Sequence, residues 1–425
     1  MHTDPNDPVP AAPSRAAPFA SAGGFASAAE LDSEPGFVQR LRRHRRERVS
    51  REMLARQVPA LLLMSPINLR YATGANVSTA YNLHAPFRTL LLPATKPGVI
   101  FDWGGGSRER FDAGVVAEVR DAPLCTYFPS GPLWRDRARK FAAEIRALLR
   151  EWGAEGSLAI DTAPLVLIEA LEQAGVRWSP AEELMHHARS IKSREEIVCI
   201  EQSMSIADAA MAQLKNNLRA GRTERELWSI LAAANAAAGG DFIDYPLLLS
   251  GEHITPWGED ATDRRVAAGE FVAFDVGMMG PTGYKVDISR TFFCPPGAPT
   301  AKQRHLYRLA HEQLMHNVEL VRPGAAFRDV AHACWPIPAG YRRNRYPMMI
   351  HGVGLSNEWP SIAYDLDWES EGSDGAIEEH MVLAVESMVA PDEGGEGVKL
   401  EDMVVVEKGG FRRLSLYPFE SALLA

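Results

Sequence analysis

Four carboxylates interrupt stretches that otherwise read as buried β-strands, and they stand in two pairs, each set symmetrically about a turn signal. In FVAFDVGMMGPTGYKVDISRTFF (residues 271–293), two strand-like halves flank Gly280-Pro281-Thr282-Gly283. A hairpin folded about Pro281 leaves Asp275 and Asp287 equidistant from its centre. The two carboxylates would then face each other on neighbouring strands, with Cβ atoms about 4.5–5.5 Å apart. Further on, MVLAVESMVAP and GVKLEDMVVVEKGG are joined by the polar turn DEGGEG. Glu386 and Glu401 lie symmetrically about the midpoint between Glu393 and Gly394.

Each acid alone is compatible with a strand-edge residue facing water. Two symmetric pairs in apolar runs are harder to place, because a buried unpaired carboxylate is costly. The neighbouring sequence offers too few Lys or Arg to balance them. Divalent metal ions resolve the imbalance: four carboxylates and one imidazole can hold two ions about 3.5–4 Å apart. His351 in YPMMIHGVGL, at the end of an apolar run and followed by glycine, is the candidate nitrogen ligand. The expected metal ligands are therefore Asp275, Asp287, His351, Glu386 and Glu401. Such an oxygen-rich set suits Fe, Mn, Zn or Co and leaves the identity open.

The rest of the chain sets the frame. At 425 residues, with 46% hydrophobic and 24% charged side chains, an ordinary globular protein of two domains is the starting expectation. A net charge of -10 argues against a nucleic-acid surface. The one basic run, Arg40 to Arg51, reads as the solvated face of a helix. Cys125, Cys199, Cys294 and Cys334 form no metal or disulfide spacing, which suits a cytoplasmic location. No apolar run reaches the roughly 18 residues of a membrane span. The Ala-, Pro- and Ser-rich stretch 1–34 reads as a flexible tail. Gly104–Gly106 lacks the order of a phosphate loop and reads as a plain turn.

Strands and helices alternate over residues 35–190, the pattern of an α/β domain. Ser193 with Glu196 three residues later then marks the start of a long helix. TERELWSILAAANAAAGG supplies a second helix, and long hairpins follow beyond Asp241, interrupted by a helix near 300–320. The second domain is placed at 191–425. Tyr364 to Glu379 is rich in acids and glycines and reads as an exposed loop, with a lid over the site as the sharper alternative.

At IKSREEI, FDVG with DISRTF, HGVG, the Glu386 strand and KLEDMVVVE, the chain resembles the pita-bread metalloenzymes of peptidase family M24. That resemblance implies an α+β fold: a C-terminal pita-bread catalytic domain preceded by a smaller creatinase-type α/β domain, whose clearest segment is SPINLRYATG. It also implies the same five ligands, two divalent ions and a homodimer. His84 and Arg88 in NLHAPFR would be cross-subunit contacts, with a structural ion pair as the alternative for Arg88.

NLHAPFR, TPW, HGVGLSNEWPSIAY and LSLYPFESALL are most similar to the bacterial dimethylsulfoniopropionate lyases of that family, which use a di-iron centre and release dimethyl sulfide and acrylate. Where that pattern has a further metal-binding Asp, this chain has Gly277. Where it has an Asp base, this chain has Asn357, and an amide cannot accept a proton as a carboxylate does. The peptidases' extra histidines are replaced by Asn357-Glu358 and Pro256-Trp257.

The leading expectation is a two-metal enzyme of the lyase-like group acting on a small polar or zwitterionic substrate. The alternatives are an Xaa-Pro dipeptidase or aminopeptidase, and a non-catalytic binding protein. Glu358, His253 and Tyr346 are the candidate proton-transfer groups. Trp257, Trp359, Tyr284 and Asn357 are the candidate substrate contacts, the tryptophan faces suiting a cationic group.

Overall fold

The computed structural model describes residues 34–75, 86–103 and 111–425. His84, the glycine run at 104–106 and the N-terminal stretch up to residue 33 lie outside the described residues. The elements form an α+β architecture, as the alternation and the later hairpins predict.

The first part of the chain builds a six-stranded sheet in the order β4-β3-β2-β1-β5-β6. Its strands are β1 Ala60–Leu63, β2 Arg88–Pro93, β3 Gly98–Asp102, β4 Val116–Asp121, β5 Leu158–Ile160 and β6 Trp178–Pro180. The central strands are apolar and fully buried, as befits a sheet covered on both faces. The helix Trp134–Glu151 lays Ala138, Phe141, Ala142, Ile145 and Leu148 on one side of it at helical spacing.

The basic run behaves differently from expectation. In the helix Phe37–Ala55, Arg45 and Arg48 are buried. Arg45 donates to the Tyr284 hydroxyl at 2.6 Å, and Arg48 to the His187 carbonyl at 2.7 Å. The arginine heads meet acceptors supplied by later segments, so this face joins the two parts of the chain instead of facing water.

The helix Arg194–Asn217 starts where Ser193 predicts: its hydroxyl accepts from Glu196 N, and Glu196 accepts from Ser193 N. Thr223 builds the same capping box at the start of Glu224–Ala237. The Tyr364–Glu379 segment is mostly exposed, as its composition predicts. It also carries short helical turns at Asp365–Asp367 and Trp368–Glu371, and Tyr364, Trp368 and Ile377 are buried in the core. Among the described residues no helix is long and apolar enough to cross a membrane.

Two sheets position the acids. The three-stranded sheet runs β7-β8-β9, with β7 Leu248–Ser250, β8 Phe271–Met279 and β9 Lys285–Phe293. The five-stranded sheet runs β11-β10-β12-β13-β14, with β10 Ile350–Val353, β11 Asn357–Ile362, β12 Val382–Val389, β13 Val398–Glu407 and β14 Gly410–Arg413. Alternation sorts the larger sheet: Ile350, Leu383, Val385, Leu400 and Val404 pack with Leu306, Ala310 and Leu314 of the helix Ala301–Val318. Val353, Ala384 and Met403 belong to the other core, together with Phe274, Val276 and Ile288.

β9 and β13 lie side by side where the two sheets meet. Thr291 Oγ1 accepts from Lys399 N at 3.0 Å and donates to Lys399 O at 2.9 Å. Behind this junction, fully buried Arg290 donates to Glu401 O at 2.7 Å and to Asp402 Oδ1 at 2.8 Å. Arg290→Met removes one partner of a buried ion pair and orphans a carbonyl. We expect a loss of about 3–5 kcal/mol in chemical denaturation; a loss below about 1 kcal/mol would show that Arg290 does not hold the junction.

Candidate metal centre

Asp275 on β8, Asp287 on β9, His351 on β10, Glu386 on β12 and Glu401 on β13 are all buried, none more than 2% exposed. Glu386 pairs directly with Glu401, the register that the DEGGEG turn predicts. The aspartates do not face each other. Asp275 pairs with Ser289, and Asp287 with Gly277. The hairpin reverses about Thr282, one residue later than the Pro281 pivot, because Gly280 and Tyr284 close the turn and Gly283 takes a left-handed φ of 80°. The carboxylates are therefore diagonal neighbours on one face, still within reach of a shared cation.

One oxygen or nitrogen from each of Asp287, His351 and Glu401 falls within 4.8 Å of the others, a group able to hold a metal ion. His351 Nε2 lies 3.5 Å from Glu386 Oε1 and 3.8 Å from Asp287 Oδ2. Its Nδ1 is 3.1 Å from the Gly352 carbonyl, which can only accept. Nδ1 therefore carries the proton in the neutral ring, and the Nε2 lone pair faces the acids. His351 Nε2 and Glu401 Oε1 are buried without a hydrogen-bond partner. Orphaned atoms of this kind, in an oxygen-rich set with one imidazole, fit a divalent ion.

The local sequence does supply cations, contrary to expectation. Lys399 Nζ bonds Glu386 Oε2 and Ser289 Oγ, and lies 3.4 Å from Glu401 Oε2 and 3.6 Å from Asp275 Oδ2. Lys285 Nζ sits 3.2 Å from Asp287 Oδ2 and 2.8 Å from Asp244 Oδ2. Each lysine precedes an acid by two residues, in KVD and KLE, and the two-residue strand period puts both on the acid's face. That period is the signal by which they could have been found.

Two lysines still leave four carboxylates under-compensated. Burial, with Asp287 and Glu386 adding repulsion against the attraction of Lys399, pushes Asp275 up to about 7. Burial, then Glu386, pushes Glu401 well above the carboxylate range. Asp287 is held below its usual value: burial would raise it, but Lys285 and His351 lower it. His351 is raised, since Glu386 and Asp287 outweigh its burial.

Tyr245 is a further group that the sequence did not flag. Its hydroxyl lies 2.7 Å from Asp287 Oδ1 and 3.5 Å from Asp275 Oδ1. It fills the space over Gly277, where an added Cβ would stand 2.9 Å from Tyr245 Cζ. In this chain a phenol thus occupies the place an extra acid at 277 would need.

The other candidates divide into two groups. Tyr346 and Trp257 lie beside the acids, their rings 4.6 and 5.9 Å from Lys399 Nζ, so these faces already meet a cation. Asn357 and Trp359 line a cavity of about 730 Å³ that also touches His351. Trp359 packs edge-on to Phe327. Glu358 shares that cavity but is committed to Arg189 at 2.9 Å, Lys192 at 3.1 Å and the Leu355 N–H at 3.0 Å. Burial would raise its carboxyl, yet Lys192 and Arg189 hold it below the usual range. His253 contacts Glu224 and Glu259, and Tyr284 bonds Glu196 and Arg45. None of the contacts described for Glu358, His253 or Tyr284 is with the five. Arg88 forms a two-point pair with Asp102, at 2.9 and 3.1 Å.

Comparison with known proteins follows the same division of the chain. Residues 198–408 match the model of metallopeptidase family M24, and residues 45–191 that of the creatinase/prolidase N-terminal domain. The chain is 32% identical over 394 residues to dimethylsulfoniopropionate lyase DddP of Roseovarius nubinhibens, covering 91% of this chain and 88% of that protein. It is 28% identical over 270 residues to an Xaa-Pro dipeptidase of Pyrococcus furiosus, covering 62% and 73% respectively. Among solved structures, an Xaa-Pro dipeptidase from Bacillus anthracis superposes with a TM-score of 0.72 at 20% identity, over 89% of this chain and 98% of that one, a likeness of fold alone.

Asp275 is the group whose titration should be visible. Its folded value of about 7 lies above that of an unfolded aspartate, so the folded state keeps a proton that the unfolded state releases. Metal-free wild type should therefore lose stability relative to Asp275→Asn as pH rises from roughly 4 to 7. Denaturation midpoints of chelator-treated proteins at several pH values check this; a difference that grows in the wild type's favour would contradict it.

Proposed function

The chain belongs to metallopeptidase family M24, and from that premise we propose a metal-dependent enzyme with two divalent ions held by Asp275, Asp287, His351, Glu386 and Glu401. The observation carrying this reading is the pair of buried, partnerless ligand atoms, His351 Nε2 and Glu401 Oε1, within one donor group. The creatinase-type first part and pita-bread second part are those that the family resemblance implied.

The substrate in this reading is a small polar or zwitterionic molecule with a carboxylate, bound in the cavity that reaches His351. Bound divalent ions supply Lewis-acid polarisation and lower the pKa of water. The chain's own groups orient the ligands and set the charge. Gly352 O fixes the His351 tautomer, Tyr245 holds Asp287, Ser289 donates to Glu401 at 2.8 Å, and Lys399 neutralises Glu386. Tyr346, beside Lys399, is the nearest of the three proton-transfer candidates to the acids. Trp359 and Asn357 form part of the substrate wall.

Dimethylsulfoniopropionate is the first substrate to try, given the 32% identity to a lyase over most of the chain. Xaa-Pro dipeptides are the second. The observation favouring them is the 28% identity to an Xaa-Pro dipeptidase over 270 residues. Metal-loaded protein should turn over one of these, read as dimethyl sulfide or as free proline. Glu401→Ala should reduce that turnover by about 100-fold or more. Undiminished activity in the variant would contradict the ligand assignment.

A further inference from the structure

The cavity beside His351 has walls whose hydrogen-bonding polarity the protein fixes itself. On β11, Asn357, Trp359 and Ser361 line it, and Ser361 pairs with His351 across the strands, just before the register shifts. Lys285 Nζ, 2.5 Å from Asn357 Oδ1, can only donate. The carboxamide oxygen must therefore face Lys285, and its NH2 remains for a ligand.

The opposite wall is the helix Glu182–Ser190, which contributes His186. His186 Nδ1 lies 3.2 Å from the Trp359 backbone N–H and 3.4 Å from Arg189 Nη2, both obligate donors. Nδ1 must accept, so the neutral ring carries its proton on Nε2. Among the described residues, no hydrogen bond engages that N–H. Two side chains from distant parts of the chain thus supply N–H groups to the lining of one cavity. Of the aromatic rings nearby, Tyr346 already has Lys399 over it, and Trp359 contacts Phe327 and His187.

We propose that Asn357 and His186 are substrate-binding residues, and that the substrate carries a second hydrogen-bond acceptor, a carboxylate or carbonyl oxygen, besides the carboxylate taken at the metal centre. This rests on the reading that one carboxylate binds at that centre. Within that reading it favours the Xaa-Pro dipeptides, which carry a carbonyl besides the carboxylate, over dimethylsulfoniopropionate, which carries no second acceptor. It makes the helix Glu182–Ser190, outside the span that carries the five ligands, a determinant of specificity.

Calorimetric titration of metal-loaded protein with three ligands of similar length tests the assignment. Succinate offers a second carboxylate, propionate a methyl group and β-alanine an ammonium. Succinate should bind at least about 10-fold more tightly than either of the others, as expected for hydrogen bonds to a charged acceptor. Asn357→Leu, at an exposed position, and His186→Phe should each remove most of that advantage of succinate over propionate. His186→Gln, which keeps an acceptor and a donor, should retain it. The assignment is overturned if β-alanine matches succinate, or if the succinate advantage survives Asn357→Leu and His186→Phe. If propionate binds and succinate binds no better, this assignment alone fails. If none of the three binds, the metal-centre carboxylate reading fails with it.

Discussion

Charge balance around four buried carboxylates is the constraint on which the rest of this structure depends. Asp275, Asp287, Glu386 and Glu401 come from four strands in two sheets, and each is at most 2% exposed. Burying one carboxylate without compensation costs several kcal/mol, so four of them at one junction require a dense supply of positive charge. Lys399 and Lys285 provide part of it, and Arg290 clamps the strands from behind. The remainder is registered by the raised carboxyls of Asp275 and Glu401. The sheets are thus held in a geometry with room in its charge balance for a divalent cation.

The polarity of the surrounding groups follows from the same economy of donors and acceptors. Gly352 O sets the proton of His351 on Nδ1, while the Trp359 N–H sets that of His186 on Nε2. The neutral ring of one histidine thereby turns a lone pair to the acids and that of the other offers an N–H, although both border one cavity. Glu358 is held by two cations and a backbone N–H, which compensate the burial of an acid in the cavity. Tyr245 over Gly277 gives this chain a phenolic donor to Asp287.

Much of this was legible in the residues, and the failures have physical causes. The Glu386–Glu401 register could be read because the DEGGEG turn is centred where its composition suggests. The aspartate register was displaced because Pro281 does not occupy the pivot; Thr282 does, with Gly283 supplying the left-handed residue. Lys285 and Lys399 are readable from strand period alone, although lysines in strands usually reach water. Tyr245 and Arg45 were not readable at all. Their partners, Asp287 and Tyr284, are distant in sequence and become neighbours only once the hairpins pack. The exposure of the Tyr364–Glu379 segment was readable from its acids and glycines; its anchoring by Tyr364, Trp368 and Ile377 was not, because their contacts are distant in sequence.

The central claim is that the five residues form a divalent-metal centre, and equilibrium dialysis with elemental analysis of the full chain addresses it most directly. Wild type should retain two divalent ions per chain after exhaustive dialysis against metal-free buffer, and His351→Ala and Glu401→Ala should lose them while remaining folded by circular dichroism. A wild-type protein that takes up no divalent ion at micromolar concentrations, or variants that bind as many as wild type, would contradict it.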